Sequence, residues 1–355
     1  MPTPILPSRP VAAGLPRAAA LVAAGLLAGC QVFDDRADAP RRPSGVSPEY
    51  SGRAPAVASQ EMDTAAAAAG RATILLQQGM YEQALAEFER AIESNPNLTV
   101  AYIGAGDIYR QQGDYDKAAE RYGEACQVEP RNFTAQYSHG LMLQLLDRVS
   151  ESVRAYLRAL SIRPDDFNSN LNLGIAFLQL KEPGEALPYA ERAVQIDGKN
   201  APARINLGAV YAAIARHEDA VTEYQQAAEL VELSAPLLLN LADSLGKAGR
   251  NEEMVNTLEQ LARTEPTAVG YERLGSGLFR LRRYDESIAS FRKGLDIDPN
   301  HFPALNGVAV CLLNQWVWSN QQDEPARREA LDSLRRSLQI ERNQPKIMEL
   351  LGRYQ

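Results

Sequence analysis

The chain has 355 residues, enough for two compact domains or one long array of repeats, and a formal net charge of −8. With 45 acidic against 37 basic side chains, it lacks the basic footprint that nucleic acid requires, which excludes nucleic-acid binding.

The chain opens with Arg9 and Arg17, no acidic residue, and an apolar run from Ala18 to Ala28 that ends in small side chains. A basic head, a short apolar core and a small-residue junction predict a secretory signal. The run is far shorter than the ~20 residues a membrane-spanning helix needs. The junction Leu27-Ala28-Gly29-Cys30 resembles the lipobox of bacterial lipoproteins. That resemblance implies removal of residues 1–29, acylation of Cys30, and a membrane contact made through the acyl chains rather than the polypeptide. In such lipoproteins an Asp after the cysteine commonly retains the protein at the inner membrane. Gln31 stands there instead, which points to the outer membrane, periplasmic face. Loss of the two arginines takes the formal charge from −8 to −10. Residues 30–60 follow as a tether, in which Pro40, Pro43, Pro48 and Pro55 interrupt a polar mixture with no apolar period. Such a composition cannot bury enough surface to offset the cost of ordering.

From residue 65 the chain repeats. Gln77-Gln78-Gly79 recurs as Gln111-Gln112-Gly113, and Pro96, Pro130 and Pro164 are spaced by 34 residues. Within a unit, Tyr102, Ala105, Gly106 and Tyr109 share one helical face, and Ala118, Tyr122 and Ala125 share a second. Gly ends the first helix, and Pro follows the second because it cannot continue it. Small residues recur at Gly106, Gly140, Gly174, Gly208, Ala242, Gly275 and Ala309, and Phe88, Tyr122, Tyr156, Tyr224 and Phe291 fill the space they leave. Period and pattern resemble the tetratricopeptide repeat. The resemblance implies an all-α fold: a right-handed superhelical solenoid of about eight helix-turn-helix repeats over residues 61–344, with a capping helix at 345–355. Units fall at 65–98, 99–132, 133–166, 167–200, 201–234, 235–267, 268–301 and 302–344, the last nine residues longer than 34. Cys126 and Cys311 lie several repeats apart, which predicts two buried free thiols, because solenoid elements touch only their neighbours.

No chemistry of catalysis is legible. His139, His217 and His301 sit in different units, and no metal-binding, nucleophile or phosphate-binding motif is present. The expectation is a protein without enzyme activity, metal or cofactor. Relatives with this fold bind peptides in a concave groove lined by fixed positions of the first helix. Carried across, these positions give Leu171, Asn172, Ile175 and Leu178 in the fourth unit, and Ile205, Asn206, Ala209 and Ala212 in the fifth. The sixth gives Leu239, Asn240, Asp243 and Lys247. Asn172, Asn206 and Asn240, each 34 residues from the next, would form a ladder of amides facing a protein or peptide ligand. The same residues also fit a second reading, in which the asparagines belong to the repeat consensus alone. Trp316 and Trp318 stand where the nine-residue insertion of the last unit begins. Residues two apart cannot share a helical face, so one of them is expected to leave the core as a partner anchor; packing across the capping helix is the other reading.

The expected function is an outer-membrane, lipid-anchored scaffold for protein–protein interaction. Its layout is similar to that of pilus-assembly lipoproteins of the PilF and TadD type, which implies assembly of an envelope machine such as a pilus or secretion system. The alternatives are an adaptor for peptidoglycan hydrolases or synthases, and a repeat subunit of a polysaccharide-processing complex.

Overall fold

Four of the first helices in the repeats open on a capping side chain. Asn132, Asp166, Asn200 and Thr267 each accept the backbone N–H three residues on, at 2.8–3.0 Å, satisfying a donor the helix itself leaves unpaired. Several second helices open differently. Arg148, Arg216, Arg250 and Arg283 stand just before the helix, and each guanidinium donates to a carboxylate three residues on: Glu151, Asp219, Glu253 and Glu286. The turn between the two helices needs one left-handed residue. Gly79, Gly113 and Gly249 supply it at φ of 75–83°, but Asp147, Lys181, Ala215 and Arg282 hold the same place at φ of 59–64°.

The computed structural model describes residues 56–355, with side chains from Thr64 onward. The signal segment, Cys30 and the greater part of the tether lie outside the described residues. Among the described residues there are seventeen helices and no strand, and they divide at Gly198/Lys199 into two compact units.

The N-terminal unit holds four helix pairs: α1 (Ala56–Gln77) with α2 (Tyr81–Ser94), α3 (Thr99–Gln111) with α4 (Tyr115–Val128), α5 (Phe133–Leu145) with α6 (Val149–Ile162), and α7 (Phe167–Gln179) with α8 (Pro183–Ile196). Each helix packs on the next, and first helices of adjacent pairs also touch. Helix α1 has 22 residues against 13 for α3, and it begins inside the stretch that composition gives to the tether. Its alanines are the reason, being the residues of highest helix propensity.

The C-terminal unit continues with α9 (Ala201–Ala213) and α10 (His217–Ala228), α11 (Ala235–Lys247) and α12 (Asn251–Thr264), α13 (Ala268–Arg280) and α14 (Tyr284–Ile297), and α15 (Phe302–Trp318) and α16 (Glu324–Ile340), closed by α17 (Pro345–Tyr354). Most of the extra residues of the last repeat lengthen its helices, so that α15 and α16 have 17 residues each where α13 and α14 have 13 and 14, and the turn between them has five residues where the preceding pair has three.

One packing device recurs through both units. A Cβ placed on Gly106, Gly140 or Gly208 would stand 2.8–2.9 Å from the ring of Tyr122, Tyr156 or Tyr224, and one on Gly275 would stand 2.8 Å from Phe291. The ring of the second helix therefore lies directly against the backbone of the first, and Tyr122, Tyr156 and Tyr224 are all but fully buried. The end of the array is closed by α17. Ile347, Leu350, Leu351 and Tyr354 pack on the cluster containing Leu312, Leu313 and Leu334, while Lys346, Glu349 and Arg353 face water. Arg327 donates to the carbonyl oxygens of Tyr354 and Gln355 at 3.0 and 2.5 Å.

Candidate functional site

Two faces built from first helices hold the residues expected to form the groove, one in each unit. In the N-terminal unit the aliphatic members sit deep: Leu171 and Ile175 are buried and Leu178 is half-buried. These side chains belong to the core more than to an open pocket. Asn172 is half-buried and donates from Nδ2 to the hydroxyl of Tyr137, one repeat earlier, at 3.3 Å. A second polar line runs beside it. The hydroxyl of Tyr156 donates to Oε1 of Gln144 at 2.9 Å, and Nε2 of Gln144 donates to Oε1 of Gln179 at 2.9 Å. Further back, Tyr122 donates to Asp107 at 2.6 Å, with Arg110 on the same carboxylate. Burial first, and the Asp107 charge second, push the Tyr122 phenol well above its ordinary value, which keeps it a donor. This face thus carries fixed amides linked across repeats by hydrogen bonds, and a carboxylate and a guanidinium bonded within a single repeat.

Tyr137, Gln144 and Gln179 were not among the expected groove residues, although they occupy lining positions in the third and fourth units. The positions alone would have pointed to them.

In the C-terminal unit the expected residues divide by depth. Ile205, Ala209, Leu239 and Asn240 are half-buried. Asp243 is exposed and paired with Lys247 at 2.7 Å. Asn206 departs from the expectation of a solvated rung. It is completely buried, and neither atom of its amide has a hydrogen-bond partner. The three asparagines also fall in different units, Asn172 in the N-terminal one and Asn206 and Asn240 in the C-terminal one. They are inequivalent in burial and partners.

The two tryptophans separate as the spacing requires. Trp316 packs edge-on against Tyr354 of the capping helix, ring centroids 5.9 Å apart, with the Arg327 guanidinium over its ring. It secures the cap. Trp318 is 40 % exposed and lies 4.5 Å from Tyr284.

Cys126 and Cys311 are buried and unpaired, in different units. Burial pushes their thiols up, to about 12 and about 11, which suits packing rather than reactivity. Among the described residues no cluster of His, Cys, Asp and Glu is placed to hold a metal ion, and no helix is long and apolar enough to cross a membrane.

Models of the tetratricopeptide repeat match residues 65–98, 146–201 and 268–301, and a TPR repeat model matches 106–147. No curated protein matches the sequence. Similar solved structures include PilF of Pseudomonas aeruginosa, with 21 % identity, a TM-score of 0.47, and coverage of 58 % of this chain and 94 % of that one. PilW, a type IV pilus biogenesis factor, has 24 % identity and a TM-score of 0.46, over 60 % of this chain and 96 % of that one. YrrB, a TPR protein with an unusual peptide-binding site, has 20 % identity and a TM-score of 0.40, over 61 % and 95 %. The matched segments fall on the helices described above, and these parts of the chain are tetratricopeptide repeats.

Proposed function

We propose that this protein is a non-enzymatic, lipid-anchored scaffold that holds an extended segment of a partner protein against its first-helix faces. The observation that carries the reading is the polar line of the N-terminal unit. Tyr156, Gln144 and Gln179 form a hydrogen-bonded chain over two repeats, beside the Asn172–Tyr137 pair. An amide presents both donor and acceptor, the two groups that alternate along an extended peptide backbone. These amides are held in place before any ligand arrives, which lowers the cost of binding.

Residues 1–29 act as the signal, Cys30 carries the acyl chains, and the tether beyond it spaces the repeats from the bilayer. Supporting this are the lipobox-like Leu27-Ala28-Gly29-Cys30 and Gln31 after it, which favour the outer membrane. Assembly of an envelope machine such as a pilus is the role we assign.

The test is capture of partners from solubilised membranes, followed by calorimetry with wild type and with Asn172→Ala, Gln179→Ala and the double variant. Each single change should weaken binding by ~1–2 kcal/mol, since a desolvated peptide group loses its partner. Undiminished affinity in a folded double variant would refute the groove. Recovery of secretin or pilin subunits supports the pilus role. Recovery of peptidoglycan hydrolases or synthases replaces it with the adaptor role.

A further inference from the structure

The lengthened last repeat builds a second surface, apart from the first-helix faces. Because α15 and α16 each run about one turn beyond their neighbours α13 and α14, their ends overhang the turn that leads into α14. Under the overhang lies an open cleft of about 380 Å³. A second hollow of about 440 Å³ shares Asp285, Ile288 and Gln315 with it. Ile288 and Leu312 contribute apolar floor, and Tyr284 and Trp318 form an aromatic wall.

The charges of the lining decide what fits. Arg283 is held by both oxygens of Glu286 at 2.7 and 2.6 Å, and Arg292 pairs with Glu329 at 2.6 Å. These pairs leave no net charge. Asp285 has no cation within ion-pair distance among the described residues. Asp323 receives only the Gln315 amide at 2.7 Å and the backbone N–H of Ala326 at 3.1 Å. Over the two hollows together, Asp285, which lines both, and Asp323, which lines the second, face one guanidinium outside an ion pair, Arg282 of the first, on the exposed turn. An apolar side chain entering here would desolvate Asp285 without a partner, at a cost. A cation would gain on two sides, from the carboxylate and from the face of the indole.

We propose that this cleft binds a basic side chain, arginine or lysine, presented by a protein partner. The cation lies against Trp318 beside Asp285, and the aliphatic stem rests on Ile288. The site is independent of the first-helix faces, so its failure would leave the groove reading standing.

The chain contains only two tryptophans, so its indole N–H groups give two resolvable nuclear magnetic resonance signals in the full-length protein. The probes are the peptides acetyl-Gly-Arg-Arg-Gly-amide, its lysine counterpart and its glutamate counterpart. Titration with either basic peptide should move the Trp318 signal, identified with Trp318→Phe, and leave that of Trp316 in place. The glutamate peptide should move neither. Asp285→Asn, a change at an exposed position, should weaken basic-peptide binding roughly 3- to 10-fold, a range typical of one exposed-to-partly-desolvated cation contact. Asp285→Arg should abolish the preference for basic over acidic peptide. Three results would each overturn the proposal: no movement of the Trp318 signal at millimolar basic peptide, equal movement with the acidic one, or unchanged affinity in Asp285→Asn.

Discussion

Single residues here do one of three things: they fill space, hold a turn, or present a polar group. Gly208 and Gly113 separate the first two. Gly208 stands against the Tyr224 ring, so Gly208→Ala should cost ~1–3 kcal/mol through overpacking. Gly113 has open space around its missing Cβ but a φ of +79°, so Gly113→Ala should cost ~1 kcal/mol through backbone conformation alone. Chemical denaturation of the two variants reads both numbers. Asn206 has a buried amide with no partner, and an apolar replacement of similar size removes that penalty. Asn206→Leu should therefore raise the melting temperature, and Asn172→Leu should not. A fall with Asn206→Leu would mean that the amide is satisfied by water. His139 gives the pH dependence. Burial first, and the Arg148 charge second, hold its imidazole below the ordinary value of 6.5. A depressed value means that the unfolded chain binds the proton more readily, so stability is full above about 6.5 and falls as pH drops toward the folded value. Leu173, Leu207, Leu241 and Leu274 occupy the same place in later repeats. His139→Leu should accordingly lose less melting temperature than wild type between pH 7.5 and 5, and parallel curves would show that His139 does not contribute.

At the scale of the helix, much was legible in the sequence because the repeat imposes it. The 34-residue spacing located the helix pairs, and the glycine–aromatic alternation located their closest approach, as Gly140 against Tyr156 shows. What escaped was depth and pairing. Position in a repeat tells which face Asn206 occupies, but burial depends on the side chains facing it, which no period encodes. The clasp of Arg250 on Glu253 and Glu218 escaped for another reason: charged residues three apart are common on any solvated helix. The long last repeat read as an insertion at the tryptophans, whereas helix-favouring residues on both sides let the chain lengthen α15 and α16 instead. Helix ends also hold unused stability. Ala215 sits at φ +64°, where a side chain costs ~1–2 kcal/mol and glycine only its extra freedom when unfolded. Ala215→Gly should gain up to ~1 kcal/mol, readable as a shift in the denaturant midpoint.

At the scale of the whole molecule, the proposed anchor and the repeats lie in different parts of the chain. Cys30→Ala should remove the acylation site, and metabolic labelling with a palmitate analogue checks it; equal label on wild type and variant would end the lipoprotein reading. The repeats pose a separate problem. A one-dimensional stack has no natural length, since each pair leaves the same kind of face for the next, and identical molecules can continue where one chain stops. Helix α17 answers this by fitting as a first helix would on its inner side while turning Lys346, Glu349 and Arg353 outward. Trp316 and Arg327 hold it there. Deleting residues 345–355 should convert a species of fixed mass into one whose mass rises with concentration in sedimentation runs, each bare end serving as the template for another chain.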